Sequence, residues 1–209
     1  MLNYIKKNYG WLIVAVIASL PLLPLFGMLQ TELANRSSTS LIYEDTLETS
    51  QSLAMLYHIS GEFSIRWMTA VLSLTPFYIL FGVTNLFVRQ AMGIATATWS
   101  LLHFAIFIWA EGILETFTQT NYIAGLIAVL ILIPLLITTN RKSMRFLKSK
   151  WKKLQSLAYL AILLSLVHVA LLEKTWAIYA IIVGIGFILR IPSIKNTILR
   201  KRQKNNLIG

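Results

Sequence analysis

This sequence predicts an all-α integral membrane protein, a six-helix bundle with both termini cytoplasmic, and three observations carry that reading. The 209-residue chain is 56% hydrophobic and 13% charged, with a mean hydropathy of +0.68, more apolar than one water-soluble core of this size requires. Its apolar residues gather in six runs close to the roughly 20 residues that a bilayer-crossing helix needs. Its charges sort by sign between the loops that join those runs.

The first run, about residues 11–29, follows the basic start "MLNYIKKNYG". It is longer than the roughly 7–15 residues of a signal-peptide core, and "GMLQTEL" offers no small-residue cleavage site, so it reads as a retained helix. The other runs cover about residues 60–80, 90–110, 122–138, 154–172 and 175–189. Together they form a single transmembrane domain over residues 1–209, with one long outer loop at 30–59 that starts polar and turns amphipathic toward "SLAMLYHISG". Pro21, Pro24, Pro76 and Pro134 are expected to kink or end helices.

Orientation follows from the cations. Lys6, Lys7, Arg89, the stretch "RKSMRFLKSKWKK" and the stretch "RIPSIKNTILRKRQKNN" hold 16 of the 19 Lys and Arg on one side of a six-helix chain. By the positive-inside rule that side is the cytoplasm, and it holds both termini. All eight Asp and Glu fall on the other side, an agreement the rule does not itself require. The net charge of +11 is therefore a topology signal, with the lipid bilayer as partner and no nucleic acid.

Several chemistries are excluded. The chain has no cysteine, which removes disulfides, thiolate metal sites, iron–sulfur clusters and cysteine nucleophiles. It has no HExxH, no phosphate-loop glycine spacing, no plausible Ser/His/Asp set and no evident internal repeat. Redox chemistry would need a bound cofactor.

Ionisable residues inside the bilayer are then the functional candidates. His103 lies 14 residues beyond Arg89, about 21 Å along its helix, and His168 lies 17 beyond Trp151, about 25 Å along its own. Both helices run outward, so the imidazoles reach similar depth in the outer leaflet. Two neutral imidazoles at one level are what bis-histidine ligation of a haem iron requires, which makes His103 and His168 candidate metal ligands. The competing reading is a pair of helix–helix hydrogen-bonding residues.

The stretches "YHISGEFSIRWMTAVLSLTP", "RQAMGIATATWSLLH", "PLLITTNRKSMRFLKSKWKKLQSLAYLAILLSLVH" and "ILRIPSIK" resemble, in order and spacing, the haem-binding membrane subunit of bacterial methionine sulfoxide reductase systems. This is the MsrQ or YedZ type, within the ferric-reductase-like transmembrane family. The likeness covers about residues 57–195. It implies a b-type haem protein of the bacterial inner membrane that passes electrons from a quinol or a reduced flavin to a periplasmic or extracellular reductase subunit. It is an electron-transfer subunit rather than a self-contained enzyme. His103 and His168 match the family's ligand positions, and His58 matches a histidine before the glycine that opens helix 2. Where the family writes "WxxLH" this chain has "WKKLQ", so Gln155 stands where another histidine is expected. With Arg89 in place of that residue's partner, the resemblance implies one haem b, with quinone or FMN as further cofactors.

Around that haem, His58 could meet a propionate, a quinone or interfacial water. Arg66 could pair with a propionate or, four residues on, with Glu62. Trp99 could pack on the porphyrin or on its helix neighbours. The alternative to electron transfer is a non-redox membrane scaffold or a small permease on the same frame.

Overall fold

The computed structural model describes residues 2–38, 45–83, 85–172 and 175–206. Among the charges used for topology, Lys6, Lys7, Glu32, Glu44, Asp45, Glu48 and Glu173 lie outside the described side chains. The described residues contain ten α-helices, one short 3-10 turn at Leu114–Phe117 and no strand. The helices are α1 (Leu2–Ser19), α2 (Leu22–Ser38), α3 (Asp45–Phe81), α4 (Leu86–Glu111), α5 (Thr120–Ile137), α6 (Arg141–Leu147), α7 (Ser149–Gln155), α8 (Ala158–Leu171), α9 (Trp176–Arg190) and α10 (Pro192–Asn206).

Five stretches are long and apolar enough to cross a bilayer: Tyr9–Thr31, Ala54–Phe81, Leu86–Glu111, Thr120–Ile137 and Ser149–Leu171. A sixth forms if α9 and α10 are taken together across their 74° bend. The chain is a multi-pass membrane protein. The bend has a local cause: Ile191 precedes Pro192, whose ring disfavours helical backbone at the residue before it, and Ile191 is extended with ψ 127°.

The outer segment expected over residues 30–59 is largely helical. Helix α2 runs on to Ser38 and α3 starts at Asp45, because nothing between Asp45 and Ser60 is glycine or proline and no residue there interrupts the helix. Residues 39–44 lie outside the described part.

Helix α3 pairs with α4, and α5 pairs with α8. The two pairs meet through α4 and α5, while α1 packs on α4 and α9 on α3. Interior packing is dense at one level, where Ile65, Met68, Leu72, Ala97, Leu132, Leu135, Ala161, Ile162 and Val183 form a cluster, with Ala161 and Ile162 fully buried.

The helix ends beside the basic elements are tied by polar side chains. Arg202 of α10 donates to the Tyr78 and Ile79 carbonyls in the last turn of α3 at 2.7 and 3.2 Å, adding to the Gly82 N–H that Tyr78 O already accepts at 2.9 Å. Asn85 caps α4 through Phe87 N and Val88 N. At the end of α5, Gln155 donates to Leu135 O (3.3 Å) and Thr138 Oγ1 (3.2 Å), and Trp151 donates to Thr138 O (2.9 Å). Arg190 of α9 donates to Leu72 O at 2.5 Å. That carbonyl lost its helical donor because the residue four positions on is Pro76, which has no N–H.

Candidate functional site

At the opposite end of the bundle the interior is hollow. A cavity of about 640 Å³ lies among α3, α4, α5 and α8, well within the range of cofactor pockets. Ile65 and Leu132 line it and also belong to the packed cluster, so the dense half forms its floor. Phe107 joins its aromatic wall, edge-on to Tyr57 at 5.9 Å and 4.9 Å from Tyr122.

His103 of α4 and His168 of α8 face each other across this space, with ring centroids 6.3 Å apart and planes at 65°. Each ring is held by a backbone carbonyl of a neighbouring helix, with Ser60 Oγ also 3.4 Å from His103 Nδ1. His103 Nδ1 lies 2.7 Å from Tyr57 O on α3, and His168 Nδ1 lies 2.6 Å from Asn121 O on α5. A backbone carbonyl only accepts, so in both residues Nδ1 carries the proton and Nε2 keeps its lone pair. That is the tautomer of a metal-ligating imidazole with its outer partner in place.

The spacing also suits a shared metal. A ring nitrogen lies about 1.2 Å from the ring centre, and with metal–nitrogen bonds of about 2 Å an ion between two opposed imidazoles puts their centroids roughly 6.4 Å apart. Among the described residues no group of three or more His, Asp or Glu could hold a metal ion. What the cavity lining offers is two imidazoles facing each other.

The other expected residues divide. His58 lines the cavity and is exposed. Arg66 does not line it. Its Nη2 bonds Glu62 Oε2 at 3.1 Å, four residues back, and Tyr179 Oη from α9 bonds the same carboxylate oxygen at 2.9 Å. Glu62 itself is on the cavity wall. Trp99, expected against a porphyrin, packs elsewhere: it is 2% exposed, lies 4.9 Å from the Phe63 ring and donates its indole N–H to Ala18 O at 3.1 Å. That carbonyl sits at the break between α1 and α2, just before Pro21, and Trp99 supplies it with a donor.

Sequence reading missed four groups at the site: the Tyr57 and Asn121 carbonyls, Gly61 and Gly125. Their signal is the pair of pentapeptides "YHISG" (57–61) and "NYIAG" (121–125), alike in isoleucine at the third position and glycine at the fifth.

Comparison with known proteins gives a relationship by sequence. The chain is 32% identical over 138 residues to the "Protein-methionine-sulfoxide reductase heme-binding subunit MsrQ" of Brucella ovis, and equally to those of Brucella canis and Brucella melitensis. Each alignment takes in 61% of this chain, and the chain spans 63% of each relative's length. No family model and no solved structure matches. By sequence, this chain is a relative of the MsrQ-type heme-binding subunits.

Proposed function

We propose that this chain is a b-type haem electron-transfer subunit, binding one haem between His103 and His168 and passing electrons from a quinol or reduced flavin to an extracytoplasmic acceptor such as a methionine sulfoxide reductase subunit. The observation that carries the reading is the opposed pair of Nδ1-anchored imidazoles, 6.3 Å apart across an apolar cavity of about 640 Å³. The name of its relatives supports the same cofactor.

The residues present fit a haem. Nε2 of each histidine is free to ligate, the walls are apolar and aromatic, and Thr116 on the cavity lining has a buried hydroxyl with no protein partner. A haem held there supplies a one-electron ferric–ferrous couple. The chain does the rest. Tyr57 O and Asn121 O draw on the Nδ1 protons and make both ligands more basic, which favours the ferric state. The apolar walls exclude water and lower the local dielectric, which favours the less charged form.

Entry and exit of electrons belong to the same proposal. With the basic end in the cytoplasm of a bacterial inner membrane, the cavity lies toward the outer face. The dense cluster below supports a single haem, with the donor reaching it from the cavity side, near His58 and Glu62. In proteoliposomes, reduction by a soluble inner-side donor is expected to be slow without quinone; equal rates with and without quinone would remove the quinol assignment.

The deciding experiment is a reduced-minus-oxidised spectrum with pyridine haemochrome quantitation on wild type, His103→Ala and His168→Ala. One b-haem per chain, lost in both variants, is the expected result. A colourless wild type, expressed with ample haem supply, would make the histidines helix-packing residues and leave a membrane scaffold or small permease as the better reading.

A further inference from the structure

Each histidine ring rests on a glycine of the helix opposite, and the two contacts repeat one another. On α3 the carbonyl of Tyr57 accepts from His103, and four residues on comes Gly61. On α5 the carbonyl of Asn121 accepts from His168, and four residues on comes Gly125. A Cβ on Gly61 would lie 3.0 Å from His103 Cε1 and 3.1 Å from Nδ1; one on Gly125 would lie 3.0 Å from His168 Nδ1 and 3.2 Å from Cε1.

The spacing has a physical reason. In a helix the carbonyl of residue i points at the N–H of residue i+4, so the side chain at i+4 stands beside the oxygen and screens it from an outside donor. Glycine there removes the screen. The carbonyl then accepts from a neighbouring helix without leaving its own helical donor, and Tyr57 O accepts from Ser60 Oγ at 2.9 Å as well.

We infer that Gly61 and Gly125 are matched positioning residues: each opens one helix carbonyl to one histidine and thereby sets where the two Nε2 atoms meet a shared metal. This rests on the haem reading above and extends it to residues that touch no metal. Ordinary carbon contacts are about 3.5–4.0 Å, so an alanine methyl makes the ring give by a few tenths of an ångström. Metal–ligand distances tolerate about 0.2 Å, so ligation feels the displacement.

The test is Gly61→Ala and Gly125→Ala in the full-length detergent-solubilised protein, beside Gly93→Ala and Gly184→Ala, where nothing lies within 4 Å of the added methyl. Alanine normally favours a helix over glycine, so a merely structural role predicts four variants as good as wild type or better. The expected result is haem affinity lowered about 10- to 100-fold in Gly61→Ala and Gly125→Ala only, the usual cost of disturbing an outer-shell partner. The low-spin ferric EPR signal of their remaining haem should shift, because it reports the angle between the imidazole planes, here 65°.

If wild type carries haem and the two variants match the controls in affinity and EPR, the inference is wrong while the haem reading stands. If wild type carries none, the haem reading fails first. Should a variant not fold, proton ENDOR on wild type decides: strongly hydrogen-bonded Nδ1 protons on both ligands support the inference, and their absence on either overturns it.

Discussion

The two halves of this bundle are built from the same helices and solve the same problem differently. In the cavity half, a nitrogen donor from α8 reaches a backbone carbonyl of α5, His168 to Asn121 O; in the filled half one from α7, thirteen residues back, does the same, Gln155 to Leu135 O. His168 ties α8 to α5, and Gln155 ties α7 to α5. Histidine does so with one nitrogen and keeps another for ligation, whereas the glutamine amide is a poor ligand for iron. Around the histidine the wall residues are Gly61, Gly125, Ser64, Ser100 and Ala128; below, Met68, Leu72 and Ile162 fill the interior. A cofactor site therefore needs the vacancy as much as the ligand.

The largest effect should come from making the cavity half resemble the other. His168→Gln keeps a donor for Asn121 O but removes the second nitrogen, so haem is expected to fall from one per chain to none by pyridine haemochrome assay. Helix content by circular dichroism should stay near wild type. Retention of a six-coordinate spectrum would show that His168 is not a ligand.

A smaller effect tests the filled half. Arg190→Met leaves Leu72 O without its donor, a buried unmet acceptor costing about 1–3 kcal/mol, measured by unfolding in detergent. Pro76→Ala restores a helical N–H to that carbonyl, so the same substitution should cost less in the Pro76→Ala background. Additive losses in the double variant would dissociate Arg190 from the proline.

Trp99→Phe should remove one hydrogen bond to Ala18 O, worth about 0.5–1.5 kcal/mol, and leave the haem spectrum unchanged. A shifted spectrum would return Trp99 to the cofactor. The smallest expected effect is in Gln155→His, which supplies an imidazole where no cavity exists. Haem should stay at one per chain, and a second haem would mean that ligand type, rather than space, limits the filled half.

Much of this was legible in the sequence because it depends on one-dimensional quantities. Length and hydropathy of the apolar runs dictate membrane-crossing helices, since bilayer thickness fixes the residues needed. The placement of Lys and Arg gave the expected orientation, and the 14- and 17-residue offsets of His103 and His168 put both imidazoles at one level. The Glu62–Arg66 spacing likewise foretold the ion pair found.

Facing was not legible. Levels along two helices say nothing of how each is rotated, and only the packing of α3 on α4 and α5 on α8 turns the two rings into one cavity. Trp99 shows the same limit: its position suits a porphyrin contact, but the break at Pro21 places an unmet carbonyl within its reach, and that acceptor claims the indole. Sequence by itself determined the helices, their apolar character and the candidate ligands. Tertiary structure alone decided which backbone carbonyls meet Nδ1, where Gly61 and Gly125 clear space, and which half stays hollow, because these depend on volumes and directions contributed by residues far apart in the chain.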